Sequence, residues 1–300
     1  MTDPKGRGAT RTEERGSLRP SDEGRGGSEV GTGRWAAARR LQLSTATHAE
    51  WTKLRTVPGT GWLLLTMIVV TVGFSVLEAV VQKCPTSCSY DTPKLSLTGI
   101  LVGQAAVAVL AVLVVTGEYS SGMIRITLTA VPRRITALAA KAIVLTGVVL
   151  VTGAIAAAWS LIAGRYILPG NGFTGVHGSE VLSLSAGSTL RAAAGSVLYL
   201  ALIGLFSLGL ATAVRDSGAS IALLIGLIYI VPLIVQFGIL DSRWERRLEQ
   251  WSPMNAGLAI QATRDLKTLP IGPWPGLGVL ALWAAGALLL GGLLLRLRDA

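Results

Sequence analysis

Six uninterrupted apolar runs decide what this chain can become. They cover Trp62–Val81, Leu97–Gly117, Leu138–Ala163, Ala192–Val214, Ser217–Leu240 and Gly276–Leu295, each 20–26 residues long. A helix needs about 20 apolar residues to cross a hydrocarbon core of about 30 Å. Charge interrupts the runs only at Glu78 and Lys141, both near span ends, where a long side chain reaches the headgroups. A transmembrane barrel would show strands of about 10 residues with alternating polarity instead. The runs predict an all-α integral membrane protein of six transmembrane helices. Composition agrees, with only 15% charged residues in this chain against about 25% in soluble ones.

Residues 1–40 hold nine Lys/Arg, six Asp/Glu and eight glycines without apolar periodicity. Such a segment buries too little apolar surface to offset the entropy of ordering, so a disordered tail is expected, followed by a six-span domain over 41–300. The first apolar run begins near Trp62, too late for a cleavable signal peptide, and the first span is expected to remain in place. The net charge of +10 is scattered through tail and loops. No basic helix alternates with aromatics as a nucleic-acid surface requires, so the charge reads as membrane-flank charge.

Six spans put both termini on one side. The chain up to residue 60 carries eleven Lys/Arg, and the loop between spans two and three adds Arg125, Arg133 and Arg134. These predict cytoplasmic termini. From residue 41 onward each side carries nine Lys/Arg, so the orientation rests on the tail. The only cysteines, Cys84 and Cys88, then fall in the first external loop. A disulfide and two free thiols both stay open there, whereas a metal site would need more ligands than the neighbourhood offers.

Two segments read as interfacial helices. Between Leu41 and Pro58, the residues Leu43, Thr47, Trp51 and Leu54 recur at helical spacing among His48, Glu50, Lys53 and Arg55. In the last external loop Trp244, Leu248 and Trp251 share one face among arginines and glutamates, with a solvated loop as the alternative. In span two, Gly99 and Gly103 have the G-x-x-x-G spacing that allows close helix approach, and a homodimer through this face is expected.

Reacting groups are not gathered anywhere in the sequence. The two histidines, His48 and His177, fall on opposite faces, and no zinc-protease motif, nucleophile elbow or G-x-x-x-x-G-K-[ST] phosphate loop occurs. No enzymatic activity, metal or cofactor is expected within this chain. A coupled carrier would place ionisable residues near mid-membrane, and only Glu78 qualifies loosely.

The loop between spans two and three reads Gly117-Glu118-Tyr119-Ser120-Ser121-Gly122-Met123-Ile124-Arg125-Ile126-Thr127-Leu128-Thr129-Ala130-Val131-Pro132-Arg133-Arg134, followed by Ala139-Ala140-Lys141. It resembles the cytoplasmic loop of ABC type-2 transporter permeases, in which a Glu-Tyr, a glycine, an arginine and a Pro-Arg-Arg-like end recur. Glu50-Trp51-Thr52-Lys53-Leu54-Arg55 resembles the entry helix of the same family. The resemblance covers about residues 41–300 and leaves the tail outside.

The resemblance implies an ABC type-2 permease-like fold, with an amphipathic cytoplasmic entry helix and short external helices before the last span. It implies the membrane subunit of an ATP-binding cassette exporter in a bacterial plasma membrane. Two copies would form the substrate path and pair with two cytoplasmic ATPase subunits, which would bind the ATP and magnesium. Carried onto this chain, Glu50, Trp51, Lys53 and Arg55 belong to the entry helix, and Glu118, Gly122 and Arg125 to the loop that meets the ATPase. For each, membrane-flank anchoring is the alternative role. Glu118 and Arg125, about two helical turns apart, are expected to face the partner together. The competing functions are a six-span protein without transport activity, such as an immunity or sensory component, and an ion-coupled carrier. The aromatics of the spans suit a drug, a lipid or a peptide equally.

Overall fold

The computed structural model describes residues 27–84, 90–120, 122, 134–173, 182–237 and 241–297. The chain forms two units, 1–41 and 42–300, and of the first the described part is helical from Gly27. Among the described residues the protein is helical throughout, with no strand, and six of its helices are long and apolar enough to cross a membrane. It is a multi-pass membrane protein.

α1 (Gly27–Thr56) begins well before the expected entry helix. Residues 27–40, expected to be disordered, are helical; Arg34, Ala36–Ala38, Arg39 and Arg40 are good helix formers that glycine content alone obscures. α1 stops at Val57, which is extended because Pro58 follows it, and Pro58 opens α2 (Pro58–Val81), the first span. α3 (Thr92–Ser96) is a single turn whose N-cap Asp91 accepts from the Lys94 amide. It leads into the second span, α4 (Ile100–Ser120), and then the third, α5 (Arg134–Ile167). The fourth span, α6 (Gly187–Val214), is the central one, with 61% of its apolar window buried inside the protein.

Arg215 then turns the chain in a left-handed conformation (φ 65°), and Asp216 caps the fifth span by accepting from the Ala219 amide at 2.7 Å. That span is α7 (Ser217–Ile225), a π-helical turn over 226–230, and α8 (Val231–Gln236). The π turn lies just ahead of Pro232, which has no amide hydrogen to continue the ladder. α9 (Ser242–Trp251) and α10 (Pro253–Leu258) precede the sixth span, α11 (Pro273–Leu297). Spans one, three, four and six begin three to five residues before their expected starts, span two begins at Ile100 rather than Leu97, and span three runs on to Asn171; the fifth closes at Val235, and residues 238–240 of its expected range lie outside the described residues.

Close approaches between helices fix the bundle. A Cβ on Gly99 would fall on the Thr71 carbonyl, and one on Gly103 on the Thr71 hydroxyl, while the Gly99 amide donates to Ser75 Oγ at 3.0 Å. The glycine pair expected at a homodimer face is therefore used inside the chain, packing span two onto span one. Gly209 and Gly291 do the same for spans four and six, Gly209 lying against the Ala287–Leu288 peptide and Gly291 against the Gly209 carbonyl. Tyr199, Phe206, Met67, Leu145 and Leu200 fill the space between.

At the end where span six begins, the chain after α9 turns back among the spans. Ala256 and Gly257 are buried, with Gly257 against the Tyr199 ring and Gly276 against the Ala256 carbonyl. Gln261 donates to Ser196 Oγ at 3.0 Å, and Asp91 accepts from Thr263 Oγ1 at 2.6 Å and the Arg264 amide at 3.1 Å. Irregular backbone survives at this depth because protein groups satisfy it. The short helices expected before the last span are present; α10 packs into the bundle, whereas α9 keeps Trp244, Trp251 and its arginines exposed.

Candidate functional site

The entry helix, the end of span two and the start of span three meet at the end of the bundle where span one begins and span six closes. Among the described residues four ionisable side chains converge there, two carboxylates and two ammonium groups. Lys141 Nζ lies 2.8 Å from Glu50 Oε2 and 2.7 Å from Glu118 Oε1. Lys53 Nζ lies 2.8 Å from the same Glu118 oxygen and 3.1 Å from Glu50 Oε1. The sum of charge is zero. Glu50, Glu118 and Lys141 are only 5–6% exposed, so each ion has left water and depends on the others; an unmatched charge at such a place costs several kcal/mol, roughly.

Local structure explains the convergence. Glu50 and Lys53 are three apart on α1 and so share a face. Glu118 sits in the last turn of α4, and Lys141 lies two turns into α5. Lys141 is the hub, since it alone joins α1 and α4 through a third helix. Its expected role was to reach the headgroups from a span end. The structure turns it inward instead, because two carboxylates stand within reach on neighbouring helices. Lys53 closes the cluster toward solvent with its side chain 35% exposed. Burial pulls its ammonium pKa down, but the hydrogen bond to Glu118 and the charges of Glu50 and Glu118 outweigh that and hold it above the ordinary lysine value.

The expected coupling residues thus divide into two groups. Glu50, Lys53 and Glu118 come together and face into the protein. Trp51 and Arg55 point away, Trp51 being 49% exposed and Arg55 exposed. Gly122 is exposed, in a left-handed conformation (φ 69°), its amide donating to the Tyr119 carbonyl at 3.3 Å. A glycine is suited to that position, where it ends α4. Arg125 lies outside the described residues. Glu118, expected to turn toward a partner, is buried against Lys141 and Lys53.

Residues that sequence reasoning passed over extend the site. The Arg215 guanidinium stands over the Tyr119 ring, 5.4 Å from its centroid, and donates to the Leu294 carbonyl at 3.4 Å. Arg134 donates to the Leu295 carbonyl at 2.9 Å. Both arginines cover the carbonyls that the last turn of α11 leaves without helical partners. The end of span two, the start of span three, the turn after span four and the end of span six are thereby joined. Asp216 before an apolar run was a legible cap signal for that turn; the direction of Arg215 was not.

At the opposite end Cys84 is buried and disulfide-bonded, and its amide donates to the Asn171 carbonyl at 2.9 Å. Cys88 lies outside the described residues. Asn171 Nδ2 in turn donates to the Ala79 carbonyl at 2.7 Å, tying the end of span three to the end of span one. Compared with protein-family models and with curated proteins, the chain matches none.

Proposed function

We propose that this protein is the membrane subunit of an ATP-driven exporter of the ABC type-2 kind, working as a dimer with separate cytoplasmic ATPase subunits. The observation that carries the reading is the ionic cluster of Glu50, Lys53, Glu118 and Lys141. It joins the two sequence strings that resemble the family's ATPase-facing segments, and it joins them to a third helix that crosses the membrane. A push on the exposed face of the entry helix, at Trp51 and Arg55, would reach spans two and three as one body, because the buried charges cannot separate cheaply. The ATPase supplies hydrolysis, and this chain supplies the path. The short helices α9 and α10 further support the reading, since the family often has short helices there.

The test is capture followed by function. A photo-reactive amino acid at Trp51 or Gly122, activated in native membranes, should trap a protein that binds ATP. In proteoliposomes of the captured complex, Trp51→Ala with Arg55→Ala should lower substrate-stimulated ATP hydrolysis while the protein still folds and inserts. Trapping of a partner without nucleotide binding would favour a sensory or immunity role. Substrate movement in vesicles without ATP would favour a carrier.

A further inference from the structure

At the end where span six begins, a pocket of about 580 Å³ lies between separate stretches of the chain. Lys94 comes from α3, Val235 from the end of span five, Glu249 from α9, and Asn255 and Gln261 from α10 and the turn after it. Hydrogen bonds between these stretches fix the walls. Asp91, the N-cap of α3, accepts from Thr263 Oγ1 at 2.6 Å, and Gln250 Nε2 donates to the Pro270 carbonyl at 2.9 Å, so α3 and α9 are both tied to the segment that leads into span six. Deeper in the bundle Tyr229 donates to the Leu101 carbonyl at 2.7 Å and ties span five to span two. The pocket is thus built into the fold, and its volume falls within the range of about 300–1,000 Å³ that small-molecule sites occupy.

Polar groups without partners line it. Among the described residues the Lys94 ammonium and the half-buried Glu249 carboxylate form no ion pair or side-chain hydrogen bond, with each other or with any neighbour. The side-chain amide of Asn255 has no partner among them either. Gln261 is the most enclosed of the four, only 4% exposed. Its Nε2 donates to Ser196 Oγ at 3.0 Å and to the Leu97 carbonyl at 3.4 Å, which leaves Oε1 with no donor among the described residues. An enclosed acceptor left in that state costs free energy that a ligand N–H would recover. Leu101, Val235 and Leu258 supply apolar surface beside these groups.

We infer that this pocket binds a zwitterionic amphiphile, a small molecule with a primary ammonium and an acidic group on an apolar body. The Glu249 carboxylate and Gln261 Oε1 accept from the ammonium, and Lys94 pairs with the acidic group. Leu101, Val235 and Leu258 receive the apolar body. A bare cation does not suit a pocket that already holds the Lys94 charge, and a bare anion does not suit one that holds Glu249. Two sources carry the matching chemistry, an aminophospholipid of the adjoining leaflet and a soluble apolar peptide. The site rests on the pocket's own groups and is independent of the exporter reading.

The experiment uses the full chain, delipidated in detergent and titrated with lysophosphatidylethanolamine or with trileucine, read by native mass spectrometry. One copy of either probe should bind, and whichever binds names the source; binding of neither overturns the proposal. N-acetylation of the probe, which removes the ammonium, should weaken binding by about tenfold or more, as should Glu249→Gln and Lys94→Gln in the protein. The double variant Asp265→Asn, Lys267→Gln makes the same charge changes at exposed positions outside the pocket and should bind like the parent. Equal binding of the acetylated probe overturns the ammonium assignment, and parental affinity in both pocket variants overturns the site. If a pocket variant also lowers the thermal midpoint, a photo-reactive analogue of the bound probe is cross-linked to the parent protein instead. Label recovered on residues 94–101 or 249–262 supports the site, and label confined to other segments overturns it.

Discussion

Lys141 is the residue on which most of the local structure depends. Replacing it by Met would leave the Glu50 and Glu118 carboxylates facing each other without the ammonium that separates them. Losing one partner of a buried ion pair costs about 3–5 kcal/mol, so the thermal midpoint of the detergent-solubilised protein should fall sharply. The triple variant Lys141→Met, Glu50→Gln, Glu118→Gln removes the charges together and should recover much of the loss, since a buried pair is often no more stable than its neutral replacement. A triple variant as unstable as the single one would mean that the charges are not the reason. Lys53 gives a pH signature. Its folded pKa lies above the unfolded value of about 10.4, so its stabilising contribution is complete below that pH and disappears as pH rises through the folded pKa. Thermal midpoints of the parent and Lys53→Met should therefore keep a constant difference between pH 6 and 9, roughly, and converge in more alkaline buffer.

Among the elements, spans one and two show how a small-residue pattern can be assigned to the wrong partner. Gly99 and Gly103 have the spacing of a dimer motif, yet the space they open is taken by Thr71 and Ser75 of the same chain. Gly99→Leu should destabilise the fold by about 1–3 kcal/mol or more through overpacking, and leave the oligomeric state of the surviving folded fraction unchanged. Thermal unfolding together with cross-linking separates the two effects. Loss of cross-linked dimer at an undiminished thermal midpoint would return these glycines to an intermolecular face. The fifth span carries a different lesson, for its π turn ahead of Pro232 was not readable from apolar length, which proline barely alters.

Seen whole, the protein has two differently built ends. One is held by ions: the four-charge cluster, Arg134 and Arg215. The other is held by backbone and amide contacts around Cys84, Asp91, Asn171 and Gln261. A disulfide at Cys84 belongs to an oxidising compartment. With cytoplasmic termini, a membrane-impermeant thiol reagent should label intact cells only after reduction. Labelling that requires cell lysis would place the entry helix outside, and the proposed ATPase partner would then be out of its reach.

Six apolar runs were enough to specify six spans, because in a bilayer each helix satisfies its own backbone and needs only length and apolarity to form. The family-like strings around Glu50 and Glu118 were equally visible. What remained hidden was direction. Whether Lys141 reaches for headgroups or for Glu118, and whether Gly99 meets a second copy or Thr71, depends on which helix lies alongside, and helical periodicity does not carry that information. Apolar spans look alike to lipid and to one another, so their neighbours are selected by close backbone approach and by the pairing of a few polar groups. Those contacts join residues as far apart in sequence as Glu50 and Lys141, and only the packed bundle determines them.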